Sequence, residues 1–336
     1  MIAVTGASGA VGRRVVRLLA ARPSSSGVLA VDRVPMRPPP GVEFRLADVT
    51  TSGAEVFAGC SSVVHLAEDA LRRQSPAASV AALDAVVDRM DRVGCRHLVV
   101  LSSAMVYGAH PGNPVPLTEG NERRPNEGLG YALAKASLEE RAEAWAERAD
   151  GRLAVLRPTT TLSERGAGYV AAAMRTAIAL RADDVEAPVQ FLHHHDLAAA
   201  AALAAERQLD GVYNVAPDHW LAPDEFSDLL AEVELPRPPA VTAVTGRLGP
   251  LLRPRTTHAL APYVAHPWVV ANDRLRAEGW TSTYTNEEAL VAGMPTPRWR
   301  SIWDRRRQEL ALAATGVGAV VVVAGGILAV RRLWRR

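Results

Sequence analysis

The stretch Ile2-Ala3-Val4-Thr5-Gly6-Ala7-Ser8-Gly9-Ala10-Val11-Gly12 decides the fold. Its apolar opening reads as a buried strand, and Gly12 to Ala21 then places Val15, Val16, Leu18 and Leu19 at helical spacing. The three glycines between them have separate physical reasons. Gly6 permits a tight turn, Gly9 lets the backbone approach a pyrophosphate, and Gly12 lets helix and strand pack closely. The helix N-terminus adds free N–H groups and partial positive charge. A second strand, Val28 to Val31, ends on Asp32, 20 residues beyond Gly12. A carboxylate there accepts hydrogen bonds from both adenosine ribose hydroxyls and repels a 2′-phosphate, which favours NAD over NADP. Arg33 pulls the other way, because an arginine beside that acid can clamp a 2′-phosphate. Asp48, after a third strand, is a candidate for the adenine amino group or for the cap of the next segment.

Working outward, apolar runs alternate with helical segments, the pattern of a parallel sheet with crossover helices. Val63 to Leu66, His97 to Ser102 and Leu153 to Leu156 read as further strands, the last ended by Arg157-Pro158. Helices are expected between the first two of these and over Gly130 to Ala149. Later come a strand at Val189 to Leu192, a helix at Leu197 to Glu206 and a strand at Gly211 to Val215.

The chemistry concentrates at two places. Ser102-Ser103-Ala104-Met105-Val106-Tyr107-Gly108 follows a strand end, where ligands bind in open α/β sheets. Tyr131-Ala132-Leu133-Ala134-Lys135 opens a helix 28 residues after Ser103, and the i,i+4 spacing puts Tyr131 and Lys135 on one face. A free phenol has a pKa of about 10. A neighbouring ammonium favours the phenolate, so the pair can move a proton near neutrality. A serine hydroxyl can orient the reacting carbonyl or alcohol. Of the 38 Lys and Arg residues, Lys135 is the one lysine, and a site that needs a compact ammonium would keep it.

With these motifs the chain resembles an extended short-chain dehydrogenase/reductase of the NAD-dependent epimerase/dehydratase family. The resemblance runs from Met1 to about Tyr284 and includes Val64-His65-Leu66-Ala67, Arg157-Pro158, Gln190-Phe191-Leu192-His193 with Asp196-Leu197-Ala198, and Gly211-Val212-Tyr213-Asn214-Val215. It implies a Rossmann-type doubly wound parallel sheet over 1–158 and about 189–216, with a smaller substrate lobe from 159–188 and about 217–300. It carries Gly6, Gly9 and Gly12 to the nucleotide loop and Asp32 to the ribose acid; Arg33 and Asp48, read from their positions, join these as candidate cofactor residues, together with Tyr131 and Lys135. Ser103, Tyr131 and Lys135 become the catalytic set. Ala104-Met105 stands where the family's dehydratases carry Asp-Glu, which argues against dehydration. Thr159-Thr160-Thr161-Leu162 replaces the family's usual turn after Arg-Pro. The expected substrate is a sugar nucleotide; the alternatives are a sterol-like or lipid alcohol, and a non-catalytic NAD(P)-binding scaffold.

The remaining features bound the partners. A formal net charge of +2 spread over both signs leaves no nucleic-acid footprint. Cys60 and Cys95 lack metal or disulfide spacing and are expected to be buried. His193-His194-His195-Asp196 suggests metal ligands, but neighbouring imidazoles at a strand end point to opposite faces. A helix start capped by Asp196 is the expectation, and no metal. The sequence opens on a strand with no signal-peptide pattern, so a cytoplasmic body is expected. Leu310 to Val330 is a C-terminal hydrophobic helix of 21 uncharged residues between arginine clusters. About 20 suffice to cross a bilayer core, so a membrane anchor is expected, flanked by Trp299, Trp303 and Trp334. The alternative is an interface helix in a homodimer.

Overall fold

Continuous apolar strand runs require two covered faces, and the sheet has them. In the computed structural model, which describes residues 1–22, 27–68, 75–163, 187–233 and 259–293, the strands are β1 (Ile2–Thr5), β2 (Val28–Asp32), β3 (Val42–Leu46), β4 (Ser62–His65), β5 (His97–Leu101), β6 (Arg152–Pro158) and, after a separate pair, β9 (Gly211–Val215). They form one seven-stranded sheet in the order β3-β2-β1-β4-β5-β6-β9, parallel throughout. Helices α1 (Ala10–Ala20) and α4 (His194–Arg207) cover one face, and α2 (Pro76–Val93) and α3 (Gly130–Ala149) the other.

The alternation is legible strand by strand. Val4, Val64, Val99 and Leu156 join the core under α1 and α4. Their neighbours Ala3, Val63, Val100 and Val155 join the core under α2 and α3 with Met90 and Trp145. In α4 the buried Ala198, Ala201, Ala202 and Ala205 present little side-chain bulk, so it packs closely on α1 and the sheet. Cys60 and Cys95 are buried free thiols, and burial pushes Cys60 up to about 11.

Sequence order reverses between β1 and β4, which opens a crevice at the strands' C-terminal ends. Beside the sheet, β7 (Thr160–Leu162) and β8 (Phe191–His193) make a parallel pair. Helices α5 (Pro223–Val233), α6 (Ala261–Ala265), α7 (Asp273–Ala277) and α8 (Asn286–Gly293) complete the described elements, all within one compact unit, Met1–Gly293. Most of 159–188 and the segments 234–258 and 294–300 of the expected lobe lie outside the described residues, as do the tail span 310–330 and Trp299, Trp303 and Trp334. Among the described residues no helix is long and apolar enough to cross a membrane.

Three local readings change. The sixth strand carries on through Arg157 and Pro158, because β9 pairs with both. Val189 is not part of β8; it makes an isolated bridge with Leu221. The cap of α4 is His193, whose Nδ1 accepts the His195 N–H at 3.2 Å. Asp196 instead lies fully buried and accepts the backbone N–H groups of Thr283 and Tyr284, each at 3.0 Å. Two backbone N–H groups that converge on a buried carboxylate hold it more firmly than a helix start that an imidazole already caps.

Two buried histidines wire the sheet. His97 Nε2 lies 3.0 Å from the Leu209 carbonyl and Nδ1 2.7 Å from Ser62 Oγ. A carbonyl only accepts, so Nε2 carries the proton and Nδ1 accepts from the hydroxyl. Burial pushes both His97 and His65 down to about 4. Both rings are therefore neutral in the fold and charge once unfolded, so the unfolded chain binds more protons between the ordinary 6.5 and about 4. Stability measured by urea denaturation should be full above pH 6.5 and fall as the pH drops through that window. Replacing His97 with asparagine should lessen the steepness of the fall by about half, since one of two titrating rings is gone.

Candidate active site

The glycine loop is built by exclusion of side chains. Gly6 has φ +68°, and a Cβ there would lie 2.7 Å from the Ala67 nitrogen on the neighbouring β4 loop. A Cβ on Gly12 would come within 2.2 Å of the Gly6 carbonyl oxygen, so α1 and the turn touch backbone to backbone. Gly9 is the N-cap of α1, with no side chain capping that end.

Asp32 ties this loop to the next one. Its Oδ2 accepts the Ser8 N–H at 2.8 Å and its Oδ1 the Val34 N–H at 2.8 Å. Each carboxylate oxygen has two acceptor sites, so one on each remains for a diol. The strand-end carboxylate and the side-chain-free loop thus fit an adenine dinucleotide. Arg33 is exposed and lies close enough to lower Asp48. Asp48 is otherwise occupied: its Oδ1 accepts the N–H and the hydroxyl of Thr50, which hold it below the usual carboxylate range. Among the described residues the hydrogen bonds of Asp48 go to Thr50, Thr51 and Ser52, none of them in the glycine loop. A cavity of about 360 Å³ lies between α1 and the loop after β2, lined by Arg13, Arg17, Met36, Arg37, Pro38 and Pro39.

The other predicted residues lie after β5 and on α3. Ser103 is buried, and its Oγ accepts the Met105 N–H at 3.2 Å to cap a 3-10 turn, Ala104–Tyr107. Tyr131 is the second residue of α3, and Lys135 lies one turn on. Lys135 Nζ donates to the Leu101 carbonyl at 2.8 Å, two residues before Ser103, and sits 5.6 Å from the Tyr131 ring centroid. One ammonium therefore links the strand end to the helix that carries the phenol.

Beneath them runs a polar network that sequence reading misses. Glu139, fully buried one turn after Lys135, receives the Arg157 guanidinium and the Ser102 hydroxyl. Arg123 adds a hydrogen bond at 3.1 Å. Arg157 Nη1 also donates to the Tyr107 hydroxyl at 2.8 Å, which donates to Asn214 Oδ1 at 2.8 Å. Burial opposes the Arg157 charge, but the hydrogen bonds and charge of Glu139 outweigh it and hold the guanidinium protonated. A Glu four residues beyond Lys135 in an otherwise apolar helix face is the signal that could have found it. Among the described residues no three His, Cys, Asp or Glu side chains converge to hold a metal.

Compared with protein families, the chain matches the NAD-dependent epimerase/dehydratase family over residues 2–216. The chain belongs to that family. It is accordingly an NAD-dependent enzyme of epimerase/dehydratase type. No curated protein sequence matches it significantly. Among solved structures, UDP-glucose 4-epimerase from Thermotoga maritima with UDP-glucose is 21% identical, with a TM-score of 0.63 over 87% of this chain and 96% of that one. UDP-glucose 4-epimerase from Thermus thermophilus with NAD is 21% identical, with a TM-score of 0.64 over 87% and 97%. DesIV, a dTDP-glucose 4,6-dehydratase from Streptomyces venezuelae solved as a double mutant with NAD and DAU, is 17% identical, with a TM-score of 0.62 over 87% and 95%. At these identities the likeness is one of fold.

Removing one member of a buried ion pair strands the other, at a cost of about 3–5 kcal/mol. Glu139→Ala should lose stability in that range by denaturant titration. Glu139→Leu with Arg157→Met should cost less than the two single changes added together.

Proposed function

We propose that this family member oxidises an alcohol carbon of a sugar nucleotide, with Tyr131 as acid/base, Lys135 as its cationic partner and Ser103 as the group that orients the reacting oxygen. The observation that carries the reading is the setting of Lys135. The chain's one lysine lies buried at a strand end, on the Leu101 carbonyl and beside the Tyr131 ring. When bound, NAD would supply hydride-transfer chemistry at that carbon. Gly6, Gly9 and Gly12 would hold its pyrophosphate, Asp32 its adenosine ribose, and Lys135 a ribose hydroxyl near the reacting carbon.

The chain's own residues do the rest. Ser103 already accepts the Met105 N–H, which leaves its hydroxyl proton for a substrate oxygen. Tyr131 takes the alcohol proton on oxidation and gives it back on reduction. The sugar-nucleotide class is supported by the solved neighbours, two of them UDP-glucose 4-epimerases and one a dTDP-glucose dehydratase. Ala104-Met105 favours epimerisation or simple oxidation over loss of water. The substrate lobe we assign to 159–188 and 217–300.

Tyr131→Phe keeps the ring and removes the transferable proton. Turnover should fall by about a hundredfold or more while NAD affinity, measured by fluorescence titration, persists. The turnover assay offers NAD with UDP-glucose and a panel of sterol and lipid alcohols; it follows NADH absorbance for net oxidation and, since epimerisation leaves no net NADH, chromatographic conversion of UDP-glucose to its epimer. Retained activity in that variant sinks the mechanism. No turnover of any alcohol by wild-type protein that binds NAD favours the non-catalytic scaffold.

A membrane-anchored enzyme acting on a lipid alcohol is the second reading, carried by the uncharged run Leu310 to Val330 between arginine clusters. We propose that this run anchors the chain with its NAD-binding body in the cytoplasm. Full-length protein should then resist extraction by salt and carbonate, whereas a chain ending at Arg307 should be soluble and still bind NAD. Full-length protein soluble without detergent would make the run an interface helix.

A further inference from the structure

The loop leaving β4, Leu66-Ala67-Glu68, borders both halves of the site. On one side a Cβ on Gly6 would lie 2.7 Å from the Ala67 nitrogen, so the loop touches the glycine turn. On the other side Glu68 Oε1 lies 3.1 Å from Lys135 Nζ. Nothing in the roles assigned above calls for a carboxylate at this point. An anion beside the site's ammonium opposes the very effect for which that ammonium is suited.

We propose that Glu68 acts through Lys135 as a counter-charge that raises the pH at which Tyr131 releases its proton. The inference rests on the reading of Tyr131 and Lys135 as the acid–base pair. Lys135 meets groups from several elements. The Leu101 carbonyl accepts from it, the Tyr131 ring lies beside it on α3, and Glu68 approaches from the β4 loop. His65, at the end of β4, is kept neutral first by burial and then by the Lys135 charge. One turn further along α3, Glu139 is committed to Arg157 and Arg123. Glu68 is thus placed to offset the ammonium's field at the phenol.

The offset is partial, because the Glu68 side chain is 34% exposed and water screens it. Its removal should not release Lys135, which the Leu101 carbonyl still holds at 2.8 Å. The functional consequence concerns direction. With the field offset, more of Tyr131 stays protonated at neutral pH, and the protonated phenol is the form that donates when a ketone is reduced.

The first measurement needs no substrate. Tyrosinate absorbance is followed through an alkaline titration of full-length protein, and subtracting the Tyr131→Phe trace isolates Tyr131. In Glu68→Gln the isolated midpoint should fall by about half a unit or more, as expected when a cation's effect is no longer cancelled. Glu68→Ala should shift it the same way, and Glu68→Asp should restore it. Circular dichroism at each pH restricts the comparison to folded protein. A midpoint unchanged or raised in folded Glu68→Gln overturns the role of Glu68 and leaves the Tyr131–Lys135 pair standing. Undiminished turnover by Tyr131→Phe overturns the pair itself, and the inference with it.

Discussion

The buried pairing of Glu139 with Arg157 is the constraint on which the geometry of the site depends. It joins α3 to β6 at the level where β5 ends. A charge pair this deep is no cheap source of stability, because desolvating both groups consumes most of their attraction. What it supplies is position. The Ser102 hydroxyl hangs on Glu139 and the Tyr107 hydroxyl on Arg157. Ser103 lies between those two residues, and Tyr107 closes the 3-10 turn that follows it, so the serine is held from both sides by one ion pair.

The same network reaches outward. Tyr107 passes its proton donation to Asn214 on β9, whose own N–H bonds Glu119 at 2.8 Å. The Tyr263 hydroxyl, on α6, donates to the Met105 carbonyl at 2.9 Å within the turn. Elements far apart in sequence therefore fix one short segment. Such a segment has little freedom to drift, which a reaction sensitive to sub-ångström placement requires.

How much of this is legible in the sequence follows from the range of each signal. The sheet and its helices come from local periodicity, which needs only neighbours along the chain. The glycine turn, Asp32 and the Tyr131–Lys135 spacing are equally local, and the structure places each on the element expected. The continuation of the sixth strand through Pro158 escapes such a reading because its last pairings come from β9, more than fifty residues away. The role of Asp196 escapes it for a similar reason, since its partners Thr283 and Tyr284 lie nearly ninety residues on. Glu68, Glu139 and Asn214 have meaning only through contacts that the fold creates.

That distinction also explains why a lysine survives in a chain otherwise supplied with arginine. Lys135 is buried, one of its protons goes to the Leu101 carbonyl, and a carboxylate lies on another side. Three donors on one nitrogen can be shared among a carbonyl, a carboxylate and a reacting ribose within a small space. A guanidinium spreads five donors over a rigid plane and cannot surrender any of them without leaving a buried N–H unpaired. Where a cation meets a carboxylate in a fork, as Arg157 meets Glu139, arginine is the better residue. The composition and the site thus express one rule: the shape of a cation matters where it is enclosed, and its charge alone suffices where it is not.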